Sequence, residues 1–207
     1  MSDEIKAVIW DMGGVLLRTE DQSFRHKLAD EMNVSLRDLY TAVFDSESAA
    51  KATIGEISAE QHWDSVRTHF NLDDQQLDRF IEMFFEGDQL DTVLMDFIQS
   101  LRPKCITALL SNAWTNAREF LSQQYSLLGF FDYALFSAEI GVAKPDPDIY
   151  KHLLGLMSME PRNAIFIDDM AENVEAARKL GIKGIQFRNR EQVLKELGRL
   201  LGTHQDL

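Results

Sequence analysis

Short apolar runs, each ending in a small or polar residue and followed by a stretch of helical period, constrain this chain more than any other feature. The runs are Ala7–Trp10, Ile106–Leu110, Ala134–Phe136, Ala164–Ile167 and Gly184–Phe187. Their apolar character is nearly continuous, the pattern of strands covered on both faces. Amphipathic stretches lie between the later runs. Asp146–Met157 carries Pro147 in its first turn, where a missing N–H costs nothing. Ala171–Leu180 stops at Gly181, the residue type expected just past a helix end. Strand and helix in alternation predict an α/β chain, with a parallel sheet and helices on both faces.

Residues 20–87 break that rhythm and read as helices only. Ser35-x-x-Asp38 and Ser58-x-x-Gln61 have the spacing of capping boxes, and the second precedes a helix through Phe70. Asp73–Phe85 predicts a further helix, apolar at positions 77, 80, 81 and 84. A helical module is therefore expected between the first strand and the rest of the sheet. The expected division is a core of residues 1–19 and 88–207 and a helical domain of 20–87. An insertion there meets the sheet's carboxyl edge, where open α/β folds bind ligands, and can serve as a lid.

The 207 residues suffice for one large hydrophobic core. A formal net charge of −13 argues against nucleic acid and against an anionic membrane surface as partners. It still permits a phosphorylated ligand where a cation and a lysine reverse the local field. Cys105 is the single cysteine, so an intramolecular disulfide and a thiolate metal cluster are excluded; it reads as a buried thiol. There is no apolar leader and no run long enough to span a membrane, which predicts a cytoplasmic protein, monomer or homodimer.

Four strand ends carry polar residues with chemical potential. Asp11 follows an apolar run and precedes Met12-Gly13-Gly14, where glycines let the backbone turn and approach a ligand. Ser111-Asn112 ends the second run; Ser111 can bind an anion or cap the next helix. Lys144 sits among Pro145 and Pro147, which stiffen its loop. Asp168-Asp169 closes the fourth run, with Asn173 shortly after. Adjacent carboxylates at the end of a buried strand repel each other unless a cation compensates, and Mg²⁺ suits such oxygen ligands.

In this order and spacing the four motifs resemble the haloacid dehalogenase-like hydrolase superfamily over nearly the whole chain, within its helical-cap phosphatases. The resemblance implies a Rossmann-like core with residues 20–87 as the cap. It implies that Asp11 is the nucleophile and forms an aspartyl-phosphate, with Mg²⁺ held by Asp11, the Gly13 carbonyl and Asp169. Asp168 would be a further carboxylate at the metal, direct or through water. Ser111, Asn112, Lys144 and Gly14 would bind the phosphoryl group, and Asn173 would orient the aspartate pair. Gly55 and Glu56 fall where the family places its cap specificity loop. Trp63, Phe44 and His62 read as helix-packing residues.

One position departs from the family pattern. Its phosphatases usually carry a second aspartate two residues after the nucleophile, as acid and base. Gly13 stands there in this chain. Some similar sugar-phosphate phosphatases also have glycine at that place. Glu20 and Asp21, at the cap entrance, read as helix-start acids. The expected function is Mg²⁺-dependent hydrolysis of a small phosphomonoester, a sugar phosphate in the first instance. The alternatives are a metal-free carbon–halogen hydrolase and a catalytically weakened phosphate-binding regulatory module.

Overall fold

A computed structural model describes residues 4–102 and 104–202. The elements run β1 (Ala7–Trp10), β2 (Leu17–Thr19), α1 (Ser23–Met32), α2 (Leu36–Tyr40), a π-helical turn Thr41–Asp45, α3 (Glu47–Thr53), α4 (Ala59–Phe70), α5 (Asp74–Phe85) and β3 (Asp88–Leu90). They continue with α6 (Thr92–Leu101), β4 (Ile106–Ser111), α7 (Ala117–Tyr125), β5 (Tyr133–Phe136), α8 (Ser137–Ile140), α9 (Pro147–Leu156), β6 (Ala164–Asp168), α10 (Ala171–Lys179), β7 (Lys183–Gln186) and α11 (Arg190–Leu201).

Five strands form one parallel sheet in the order β5-β4-β1-β6-β7. The five apolar runs thus become its five strands. Successive side chains of a strand point to opposite faces. Val8 and Trp10 of β1 accordingly pack with Leu109, Ile165 and Ile167 in one core. Ala7 and Ile9 pack with Ala108, Leu110 and Phe166 in the other. Strand order reverses between β1 and β6, so the carboxyl ends of these two strands flank the crevice where such sheets bind ligands.

The helices from α1 to α5 bury a third cluster of their own, which includes Leu28, Leu39, Val43, Val66, Phe80 and Phe84. Both expected capping boxes are present, at Ser35/Asp38 and Ser58/Gln61. The sequence did not announce β2 and β3. These short strands pair antiparallel where the chain leaves the core and where it returns, with Leu17 opposite Leu90 and Thr19 opposite Asp88. Buried Asp91 fastens that crossing, accepting from Arg18 Nη2 at 2.8 Å and from Arg190 Nε at 2.9 Å. Cys105 is buried, and burial pushes its thiol up. Among the described residues no helix is long and apolar enough to cross a membrane.

Candidate active site

Asp11 is the first residue beyond β1, and its N–H donates to the Ile167 carbonyl at 2.9 Å. That bond ties the start of the Asp11 loop to β6, beside Asp168. The hub of the site is Lys144, which reaches the same edge from the loop before α9 and is buried. Its Nζ donates to Asp11 Oδ1 at 2.6 Å, to Asp168 Oδ2 at 2.8 Å and to the Leu110 carbonyl at 3.0 Å. An ammonium has three protons, and all three are placed.

Asn112 holds Lys144 from behind. Its Nδ2 donates to the Lys144 carbonyl and its Oδ1 accepts the Lys144 N–H, both at 2.8 Å. One of its two amide protons and its carbonyl oxygen are thereby engaged in positioning Lys144. The Gly14 N–H donates to the Leu17 carbonyl at 3.0 Å inside the turn. Gly14 is required for conformation: its φ is +76°, and a Cβ there would lie 2.4 Å from an Asp169 carboxylate oxygen. Ser111 is the buried last residue of β4, on the strand next to β1.

Asp168 is wholly buried. It accepts from Asn173 Nδ2 at 3.0 and 3.1 Å and from the Met170 N–H at 2.8 Å, besides Lys144. Asn173 is itself held by the Tyr150 hydroxyl, which donates to its carbonyl at 2.9 Å. Oxygens of Asp11, Asp168 and Asp169 lie within 4.8 Å of one another. Three carboxylates thus gather beside one ammonium, which bonds only Asp11 and Asp168 among them. Burial, reinforced by Asp168 and opposed by Lys144, pushes Asp11 up to about 7. Burial and then Asp168 push Asp169 up as well. Burial alone would lower Lys144, but Asp11 and Asp168 outweigh it and hold the lysine raised. A site with this surplus of hard oxygen donors fits a divalent cation such as Mg²⁺.

Gly13 is exposed at the same edge, and a Cβ there would meet no heavy atom within 4 Å. Glu20 pairs with Arg18 at 3.0 Å, and Asp21 accepts the Ser23 N–H at the start of α1. Both acids therefore have structural partners. Gly55 and Glu56 lie on the loop between α3 and α4, which rests on the core beyond β5. A Cβ on Gly55 would come 2.4 Å from the Ala138 carbonyl oxygen. Buried Ser137 fixes that contact, donating to the Thr53 carbonyl at 2.6 Å and accepting the Ala113 N–H at 2.9 Å. The sequence reading passed over Ser137 and Tyr150. Ser137 had a visible signal, since it ends an apolar run just as Ser111 does.

Comparison with known proteins places this geometry. Residues 5–181 match the family of haloacid dehalogenase-like hydrolases. The bifunctional epoxide hydrolase 2 of Rattus norvegicus is 33% identical over 101 residues, which is 47% of this chain and 18% of that protein. The chain thus spans under a fifth of that relative's length. A sesquiterpene phosphatase of Aspergillus oryzae is 26% identical over 98% of this chain and 100% of its own. Among solved structures, a wild-type enzyme of the same family from Bacteroides thetaiotaomicron, in complex with magnesium and inorganic phosphate, superposes with a TM-score of 0.75. It is 23% identical, covering 92% of this chain and 98% of that one. A 2-haloacid dehalogenase from Pseudomonas syringae superposes with a TM-score of 0.62 at 17% identity, covering 96% and 98%.

Proposed function

The chain belongs to the haloacid dehalogenase-like hydrolases, and on that premise we propose that it is a phosphatase that hydrolyses small phosphomonoesters through Asp11, with residues 20–87 as its cap. One observation carries this reading: Asp11, Asp168 and Asp169 converge with a single lysine at the crevice between β1 and β6. Mg²⁺, held by Asp11, the Gly13 carbonyl and Asp169 with Asp168 beside them, would offset the negative charge of the phosphoryl group when bound. The magnesium and phosphate found in the Bacteroides relative and the activity named for the Aspergillus relative support the same reading.

Asp11 attacks phosphorus, the P–O bond to the alcohol breaks, and an aspartyl-phosphate forms. Ser111 and the backbone beside it hold phosphoryl oxygens. Lys144 places its positive charge against Asp11 and the incoming group, at a position fixed by the Asn112 amide. Asn173 keeps Asp168 oriented toward Lys144. Water then attacks the aspartyl-phosphate, releasing phosphate and restoring Asp11. Gly13 supplies no side-chain acid for the departing alcohol, so that proton comes from water or from the alcohol's surroundings. Esters with good leaving groups, such as anomeric sugar phosphates, need it least.

The test is phosphate release from a panel of phosphomonoesters, with and without Mg²⁺, by wild type and Asp11→Asn. Equal release by both proteins rules the reading out. The dehalogenase neighbour favours a second reading, in which Asp11 displaces halide without a metal. The third carboxylate, Asp169, counts against it, because Lys144 pairs only with Asp11 and Asp168 and metal-free chemistry leaves the surplus charge uncompensated. Chloride release from a 2-haloacid without Mg²⁺ would establish it instead.

A further inference from the structure

Aromatic rings gather where the helical module meets the core, beside the loop that follows Ser111 and begins with Asn112. Trp114, in that loop, lies 4.5 Å from His62, 5.3 Å from Trp63 and 6.3 Å from Phe44, measured between ring centroids. Phe85 meets Trp63 at 6.2 Å and Phe44 at 6.4 Å. The next residue, Thr115, accepts the Ala59 N–H at 3.1 Å, which pins the junction. His62 is fully buried and packs as its sequence position predicts. Phe44 packs as well, against Tyr40, Phe84, Phe85 and Trp114, yet 47% of it is exposed.

Phe44 is carried on the π-helical turn Thr41–Asp45. Such turns are rare and cluster at functional sites. The ring thus stands at the junction with nearly half of the residue's surface open. Met170, immediately after Asp169, is a second large apolar side chain left open at the sheet's carboxyl edge, 50% exposed. Apolar surface left bare beside polar chemistry marks a ligand wall. The Phe and Trp rings carry no charge, and burial holds the His62 imidazole below its ordinary value. A polyol needs hydrogen-bonding partners for its hydroxyls, and ring faces supply none.

We infer that Phe44 and Trp114 form the wall against which the organic part of the substrate packs, and that the chain prefers phosphomonoesters of apolar alcohols, aryl or hydrocarbon-chain, over those of polyols. This rests on the phosphatase reading and sharpens it. The experiment compares kcat/KM of the Mg²⁺-loaded wild type for 2-(1-naphthyl)ethyl phosphate and n-octyl phosphate, whose alcohols leave no more readily than a polyol does, with that for ribitol 5-phosphate. The apolar esters should lead by about 10-fold or more, the scale on which apolar pockets discriminate. Phe44→Ala should lower that ratio by about 10-fold, and Phe44→Leu should retain most of it.

A preference for the polyol ester overturns the inference while leaving the phosphatase reading intact. So does a Phe44→Ala protein with a lower Tm and an unchanged ratio, because the rings would then serve only to close the helical module. If the wild type hydrolyses no ester, the phosphatase reading falls, and binding decides about the wall. In that case 1-naphthylmethylphosphonate should quench tryptophan fluorescence at about 10-fold lower concentration than methylphosphonate, and equal affinities refute the wall.

Discussion

At Gly13 the backbone leaves room that no side chain fills. An aspartate there meets no steric bar, and none is imposed by a left-handed φ. We expect Gly13→Asp to fold with an unchanged Tm and to raise kcat for alkyl phosphates by about 10-fold or more, since a positioned acid contributes roughly 10²–10⁴-fold. Steady-state kinetics decide it; an unchanged kcat would mean that another group already supplies the proton. The neighbouring glycine behaves in the opposite way. Gly14→Ala forces a side chain into a left-handed backbone and into the Asp169 carboxylate. It should destabilise the fold by about 1 kcal/mol or more and abolish most Mg²⁺-dependent turnover, which thermal melts and phosphate release measure together.

Among the elements, the two-strand crossing of β2 and β3 joins the helical module to the core, and Asp91 is its anchor. Burial alone would raise the Asp91 carboxyl, but Arg190, the Leu94 N–H and Arg18 outweigh it and hold it lowered. A carboxyl depressed in the folded state adds stability above its unfolded value, near 4, and loses it as pH falls through the folded value. Asp91→Asn should therefore cost about 2 kcal/mol at pH 7, and the gap from wild type should close on acidification below about pH 4. Chemical denaturation at pH 7 and pH 3 tests this. A gap independent of pH would show that packing, not charge, holds the crossing.

For the molecule as a whole, the acidic cluster links metal, proton and fold. Asp11 is pushed up to about 7 in the metal-free protein, so below that pH it holds a proton that a cation must displace. Mg²⁺ should raise Tm, and EDTA should reverse the gain. The increment should grow between pH 6 and about 8, because the competing proton is lost over that range. Differential scanning at fixed Mg²⁺ reads it directly. An increment that stays constant across that range would separate the metal from Asp11.

Much of this protein was legible in the chain itself. Five apolar runs with helical stretches between them suffice for a parallel sheet, because continuous apolar character is stable only when both faces of a strand are covered. The capping spacings at Ser35 and Ser58 located helix starts for a local reason, the reach of one side chain back to its own backbone. The order Asp11, Ser111, Lys144, Asp168-Asp169 named the polar residues that meet at the sheet's carboxyl edge. How each atom of the candidate site is bonded was decided by tertiary structure. No local pattern indicates that the Asn112 amide is committed to Lys144, or that the Gly14 N–H is committed to Leu17. β2 and β3 were too short to carry a periodicity of their own and exist because the two ends of the helical module must pass side by side. The exposed face of Phe44 also appeared only in three dimensions. An aromatic at a helical position looks like core until its exposure is known, and here four ring neighbours still leave nearly half of the residue open.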